Sequence, residues 1–318
     1  MSNTLPADHA ARMERAALAL TGLSVGDALG ETCFRDENYE AILEDPRATA
    51  RGPWPFTDDT VMALGIYEVL HEYGRIDQDA LAQRFAARYK AQPWRGYGAG
   101  ARRLLDEVGN GLPWRDAADA VFPGGSYGNG SAMRLAPLAA YFAEDDYIVI
   151  AEQAKLSAEV THAHHEGIAG AIAAAVATAC AWKNRHRRTE EATRRELFDV
   201  ALAHTPPGEV RRGIEHAAIL PFDISIEPVV RLLGNGSRIS CQDTVPFCLW
   251  VAAMHLHDYE TAIVQTIRAG RHRHQLRHRG RHRGARGRRE GHSRRLARFA
   301  RRVGCLKGCA ASPLRVER

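Results

Sequence analysis

The sequence predicts an all-α protein, a multi-helix bundle. Three observations carry that prediction. Apolar residues recur at helical spacing through most of residues 9 to 269, alternating strand-like runs are nearly absent, and the stretch GIAGAIAAAVATACAW is small-sided enough for close helix–helix contact in a crowded core. No internal repeat is visible.

Residues 9 to 30 read as an amphipathic helix carrying Leu18, Leu20, Leu23, Val25 and Leu29. A loop rich in Pro, Gly and Asp follows, through Arg51-Gly52-Pro53-Trp54-Pro55. Residues 57 to 73 place Val61, Met62, Leu64, Ile66, Val69 and Leu70 on a buried helical face, and 77 to 89 form another helix. Residues 91 to 131, broken by Gly and Pro, are the longest irregular stretch. Further helices are expected over 132 to 143, 147 to 182, 189 to 204, 208 to 219, 226 to 233, 244 to 255 and 258 to 269.

At Arg271 the character changes. RHRHQLRHRGRHRGARGRRE has neither apolar periodicity nor caps. Residues 271 to 318 hold 17 Lys+Arg against Glu290 and Glu317, a net of +15, whereas the preceding residues hold 26 Lys+Arg against 36 Asp+Glu, a net of −10. The whole-chain pI of about 9.0 therefore describes neither part. The division is a helical domain over 1 to 270 and a basic Arg/His-rich tail over 271 to 318, expected to be disordered or at best a loosely held helix. Such charge binds phosphate without sequence preference, so it does not imply an evolved nucleic-acid partner. No apolar run reaches the roughly 20 residues of a membrane helix, and MSNTLPADHAARMER lacks a signal-peptide pattern, so the expectation is a cytoplasmic protein with no membrane partner. The scattered cysteines are expected to be reduced core thiols.

Four motifs carry chemistry. Gly26-Asp27-Ala28-Leu29-Gly30 sets a carboxylate between glycines at the end of the first helix, which suits a ligand at close backbone approach and equally a helix C-cap with a solvated acid. Phe56-Thr57-Asp58-Asp59-Thr60 opens the next helix. A hydroxyl and two adjacent carboxylates are hard oxygen ligands for magnesium or manganese, although Thr57 as an N-cap with acids in the first turn would use the same residues. Gly124-Gly125-Ser126-Tyr127-Gly128-Asn129-Gly130-Ser131 runs into a helix and exposes backbone N–H groups, a natural anion site or a plain flexible turn. Leu233-Gly234-Asn235-Gly236-Ser237 repeats part of that pattern and reads as a turn. Finally, Thr161-His162-Ala163-His164-His165-Glu166 enters the Ala-rich helix, with His162 and Glu166 one turn apart if the helix includes both, a spacing open to a metal.

Together and in this order, GLSVGDALGE, FTDDTVMAL, GSYGNGSAMRLAPLA and the Thr161-His162 pair before GIAGAIAAA resemble the ADP-ribosylglycohydrolase family, which includes the dinitrogenase-reductase-activating glycohydrolase. The resemblance covers roughly residues 15 to 270. It implies an all-α hydrolase with a pair of magnesium or manganese ions that cleaves ADP-ribose from a modified protein residue or small-molecule acceptor. It implies Thr57, Asp58 and Asp59 as metal ligands, with Asp58 and Asp59 catalytic and Asp27 and Glu31 as further acids. Gly125, Ser126, Tyr127, Gly128, Asn129 and Gly130 become the loop gripping diphosphate and ribose, supported by Met133 and Arg134, and His162 the substrate-side histidine. Where some members carry a catalytic Glu, this chain has Phe34.

The family's C-terminal Gly-Gly-Asp-Thr-Asp-Thr-like motif, which supplies the remaining metal ligands, is due just after Ala269-Gly270, where this chain reads Arg-His-Arg-His-Gln-Leu-Arg-His over 271 to 278. With CGN arginine and CTN leucine codons, a shift of one nucleotide permits Asp-Thr-Asp-Thr-Asn-Cys-Ala-Ile there. The sequence thus predicts a change of reading frame near residue 270 and a two-metal site whose C-terminal half is missing. An inactive ADP-ribose-binding descendant is the alternative to a working hydrolase.

Overall fold

The computed structural model describes residues 5–33, 36–45, 53–187, 190–221 and 223–278. Among them the chain forms fourteen α-helices, and the one β-type pairing is an isolated antiparallel bridge between Gly128 and Ser240. In order these are α1 (His9–Thr32), α2 (Asp36–Glu44), α3 (Asp58–Tyr73), α4 (Gln78–Ala91), α5 (Ala99–Gly109), α6 (Trp114–Val121), α7 (Ala136–Tyr141), α8 (Tyr147–Glu159), α9 (His165–Lys183), α10 (Glu190–His204), α11 (Glu209–Ile219), α12 (Ile226–Leu233), α13 (Cys241–Met254) and α14 (Tyr259–His278). None of the described helices is long and apolar enough to cross a membrane.

The Ala-rich helix α9 is the spine. One of its faces, Ala171, Ile172, Ala175, Val176 and Ala179, packs into a core shared with α1 and α3 to α8. The opposite face, Ala169, Ala173, Ala174, Ala177 and Cys180, packs into a second core built from α10 to α14. Methyl-sized side chains on both faces let neighbouring helices approach from every side, which is why this helix shows no polar stripe. Cys33, Cys180, Cys241 and Cys248 are free thiols, as expected.

Four details differ from the sequence reading. The stretch expected to be irregular contains α5 and α6, because its glycines and prolines punctuate helices instead of breaking them: Gly98 and Pro113 are N-caps, and Gly111 turns the chain at φ 97°. Gly100, inside α5, is required by packing, since a Cβ there would meet the Phe122 ring at 2.1 Å. The helix expected over 147 to 182 is interrupted between α8 and α9, where His164 becomes the N-cap of α9 and its Nδ1 accepts from the Glu166 amide at 3.1 Å. The loop after α1 contains α2, whose Ile42 is buried with Leu29, Ile263 and Ile267. Helix α14 does not stop near residue 269 but continues to His278. The tail from residue 279, and Phe34, lie outside the described residues.

Candidate active site

The acid pair begins α3. Asp58 and Asp59 are both buried, in the first turn, where the helix N-terminus favours negative charge. The local capping expected of Thr57 is not what holds this end. Thr57 has extended backbone angles, but its hydroxyl donates to Asp27 Oδ1 at 2.7 Å. Asp27 Oδ2 accepts from the Thr57 amide at 2.7 Å and the Thr60 hydroxyl at 2.6 Å. Asp27 is therefore neither solvated nor a C-cap; it lies within α1, fully buried, and caps α3 from the neighbouring helix. Its oxygens are engaged in positioning Thr57, a different task from that of a reacting carboxylate. Glu31, one turn further along the same face of α1, is half-buried.

The other side of the acid pair is clamped by the segment before α5. The Asp58 amide donates to Arg95 O at 2.7 Å. The Arg95 guanidinium donates to Phe56 O at 3.0 Å and lies 3.8 Å from the centroid of the Phe56 ring. Tyr97, in the same segment, is buried, and burial followed by the charge of Asp58 raises its hydroxyl pKa. Replacing Asp27 by Asn should cost about 2–4 kcal/mol, because donors that met a buried carboxylate then face a neutral amide. A urea titration in metal-free buffer checks this, and a change under about 0.5 kcal/mol would show that the cap is dispensable.

The glycine loop packs directly on the break between α8 and α9. Gly125 has φ 86°, and a Cβ there would stand 2.1 Å from His164 N. A Cβ at Gly128 would be 3.2 Å from His162 Nε2, and one at Gly130 2.8 Å from the same nitrogen. Glycine is thus required for the loop backbone to lie against the imidazole. Tyr127 is exposed, its ring 5.4 Å from that of His164 in an edge-on arrangement. Ser131 Oγ donates to Gly167 O at 2.8 Å, fixing the loop's exit to α9.

Behind the loop stands a segment that sequence reading missed. The Asn129 amide donates to Ile239 O at 3.2 Å, Asn129 Nδ2 donates to Thr244 Oγ1 at 2.6 Å, and the Cys241 amide donates to Tyr127 O at 3.0 Å. Ile239 holds φ 60°, a conformation costly for a β-branched residue, at the point that receives the Asn129 amide. The Leu233–Ser237 stretch is the expected turn, with Gly234 at φ 92° and Gly236 at φ 75°, and Asn235 Nδ2 ties it to Ala269 O at 3.1 Å.

Met133 and Arg134 follow the loop into the core, and the Met133 amide donates to Asn129 O at 3.1 Å. Met133 belongs to the apolar core, and Arg134 is fully buried over the Phe85 ring. Arg134 Nη1 lies 4.0 Å from Met62 Sδ, one turn along α3 from the acid pair, and donates to Thr161 Oγ1 at 2.9 Å, while Nη2 donates to Ser157 O at 2.6 Å. Thr161 Oγ1 is in turn 2.7 Å from His162 Nδ1. Arg134 thereby bridges the helix bearing the acids and the histidine under the glycines. The His162–Glu166 metal pairing does not form: His162 precedes α9, and the buried Glu166 accepts from the Val210 amide at 2.9 Å, capping α11. Among the described residues no three His, Cys, Asp or Glu side chains converge on a metal position.

A family model described as ADP-ribosylglycohydrolase matches residues 8–273. The chain is similar to ADP-ribosylhydrolase ARH3 of Xenopus tropicalis, 27% identical over 269 residues that cover 76% of this chain and 75% of that protein. It is 33% identical to the Danio rerio protein of that name over 267 residues, covering 73% and 69% respectively. The match to the Homo sapiens protein, 42% identical over 127 residues, spans only 34% of that relative's length. In fold it is similar to a solved structure described as an ADP-ribosylglycohydrolase-related protein complex, with a TM-score of 0.53 at 20% identity, covering 94% of this chain and 87% of the other.

Proposed function

Because the chain belongs to the ADP-ribosylglycohydrolase family, we propose that it hydrolyses the glycosidic bond between ADP-ribose and a protein or small-molecule acceptor, with its own site assembled from α3, the glycine loop and His162. The observation that carries this reading is the close approach of Gly125, Gly128 and Gly130 to residues 162–164, where a Cβ on any of the three would crowd His162 or His164. A diphosphate needs such a surface, because only closely approaching amides can direct several N–H groups at its oxygens. Hydrolysis adds water across the bond, leaving ADP-ribose and the free acceptor.

The residues present suit a divalent cation in part. Thr57, Asp58 and Asp59 are hard oxygen donors gathered at one buried helix end, where adjacent carboxylates repel unless a cation offsets them. They would hold magnesium or manganese, and a cation bound there supplies Lewis-acid polarisation of an oxygen at the reacting centre. Asp27 fixes Thr57 for that task, and the loop amides orient the diphosphate.

The other half of the metal site is assigned to the reading frame lost near residue 270. Two observations support this. The family match stops at residue 273, within three residues of the change in composition. Helix α14 also carries buried Ile263, Ile267 and Ala269 up to the junction, so the chain is in register with the fold until the change occurs. The second reading, a descendant that binds ADP-ribose without cleaving it, rests on the Arg-His-Arg-His run over 271 to 274, which stands where the family's remaining metal ligands are due.

Thermal unfolding with and without magnesium tests the acid pair. Asp58→Asn with Asp59→Asn should abolish magnesium-dependent stabilisation while costing little in metal-free buffer. Equal stabilisation of wild type and double variant by magnesium would reduce the pair to helix-end charges.

A further inference from the structure

Arg134 is a guanidinium with no exposed surface, and burial alone pulls its pKa down to about 9, with no carboxylate contributing. Among the described residues no carboxylate pairs with it, and a buried cation so placed is costly enough to call for a reason. The geometry points to one: Arg134, acting through Thr161, fixes His162 as the neutral tautomer protonated on Nε2, so that the ring presents an N–H to the glycine loop. Arg134 and Thr161 are positioning residues, and the inference rests on the diphosphate reading only for the identity of what that N–H meets.

The direction of each hydrogen bond follows from what each group can do. A guanidinium has donors and no acceptor, so Thr161 Oγ1 must accept from Nη1 at 2.9 Å. The threonine's own proton then needs an acceptor, and His162 Nδ1 stands 2.7 Å from the same oxygen. Were Nδ1 protonated, two N–H groups would point at Oγ1 and its proton would be turned away from both. The sequence Nη1–H to Oγ1–H to Nδ1 satisfies all three groups, and the ring proton is left on Nε2. The Nε2 edge is the one lying 3.2 Å from where a Gly128 Cβ would be and 2.8 Å from where a Gly130 Cβ would be. His162 therefore serves as a hydrogen-bond donor to an anionic oxygen held in the loop and not as a base that removes a proton.

Long-range proton–nitrogen correlation spectra of the full chain labelled at histidine nitrogen read the tautomer directly, with His162→Gln assigning the signals. The expected wild-type spectrum shows a pyridine-type Nδ1 and a pyrrole-type Nε2 on His162. Thr161→Ser should keep it, whereas Thr161→Val should mix the tautomers and weaken ADP-ribose binding about tenfold by calorimetry, the scale of one hydrogen bond to a charged group. A protonated Nδ1 in the wild type, or an unchanged spectrum in Thr161→Val, overturns the inference. If Thr161→Val fails to fold, the wild-type and Thr161→Ser spectra decide alone. If the tautomers behave as expected but ADP-ribose binds none of the forms, the relay stands and the diphosphate reading of the loop falls.

Discussion

Gly125→Ala is expected to weaken ADP-ribose binding by at least about a hundredfold, some 3 kcal/mol. Gly125 holds φ 86°, where an L-residue is strained by about 1–2 kcal/mol. The larger effect is steric. The new Cβ would lie 2.1 Å from His164 N and 2.6 Å from Ala163 C, backbone atoms that cannot swing aside. The loop must therefore lift off residues 162–164, taking its amides away from the positions that define the proposed anion site. Gly124 is the internal control. It has φ 78° but nothing within 4 Å of its Cβ position, so Gly124→Ala incurs only the backbone strain and should weaken binding by about tenfold or less. Calorimetric titration of both variants makes the comparison, and equal losses would mean that the close approach is irrelevant to the ligand.

Correcting the reading frame by one nucleotide after residue 270 is expected to raise metal-dependent ADP-ribose release by about ten- to a hundredfold, the scale on which incomplete metal environments lose affinity or activity. The physical case begins with α14, whose buried Ile263, Ile267 and Ala269 dock it against α2, α12 and α13 as far as the junction. Beyond Gly270 the written chain presents Arg and His at the positions where the corrected chain presents two aspartates and two threonines. Cations placed there repel a divalent metal, and carboxylates attract it. Expressing both forms and measuring ADP-ribose released from a modified protein, with magnesium and with a chelator, separates the cases. Matching activity in the two forms would rule out any functional consequence of the frame.

Helical class and the order of most helices were legible in the sequence because apolar spacing is a local property. Residues 171, 172, 175, 176 and 179 of α9 face one core and 169, 173, 174 and 177 the other, so the small-residue composition itself announced a helix packed on two sides. The site was legible as motifs, not as contacts. Nothing local to Thr57 shows that its hydroxyl turns away from its own helix toward Asp27, 30 positions earlier in the chain. Arg134 reads as part of the glycine loop's exit, yet its guanidinium is buried against Ser157 and Thr161. The wall formed by Ile239, Cys241 and Thr244 meets the loop across more than a hundred residues, and only pairing in three dimensions reveals it. Where the sequence reading erred, at α5, α6 and the break before α9, a glycine, proline or histidine acted as a cap, a choice made by the packing around it.

On the proposed function, loop 124–131 holds ADP-ribose by its diphosphate. Titrating ADP-ribose into the full chain in magnesium buffer, followed by calorimetry, tests it most directly. Saturable one-to-one binding is expected, which ribose 5-phosphate, lacking the diphosphate, does not reproduce. Binding of both ligands with equal affinity, or no saturable heat from folded protein, would contradict it.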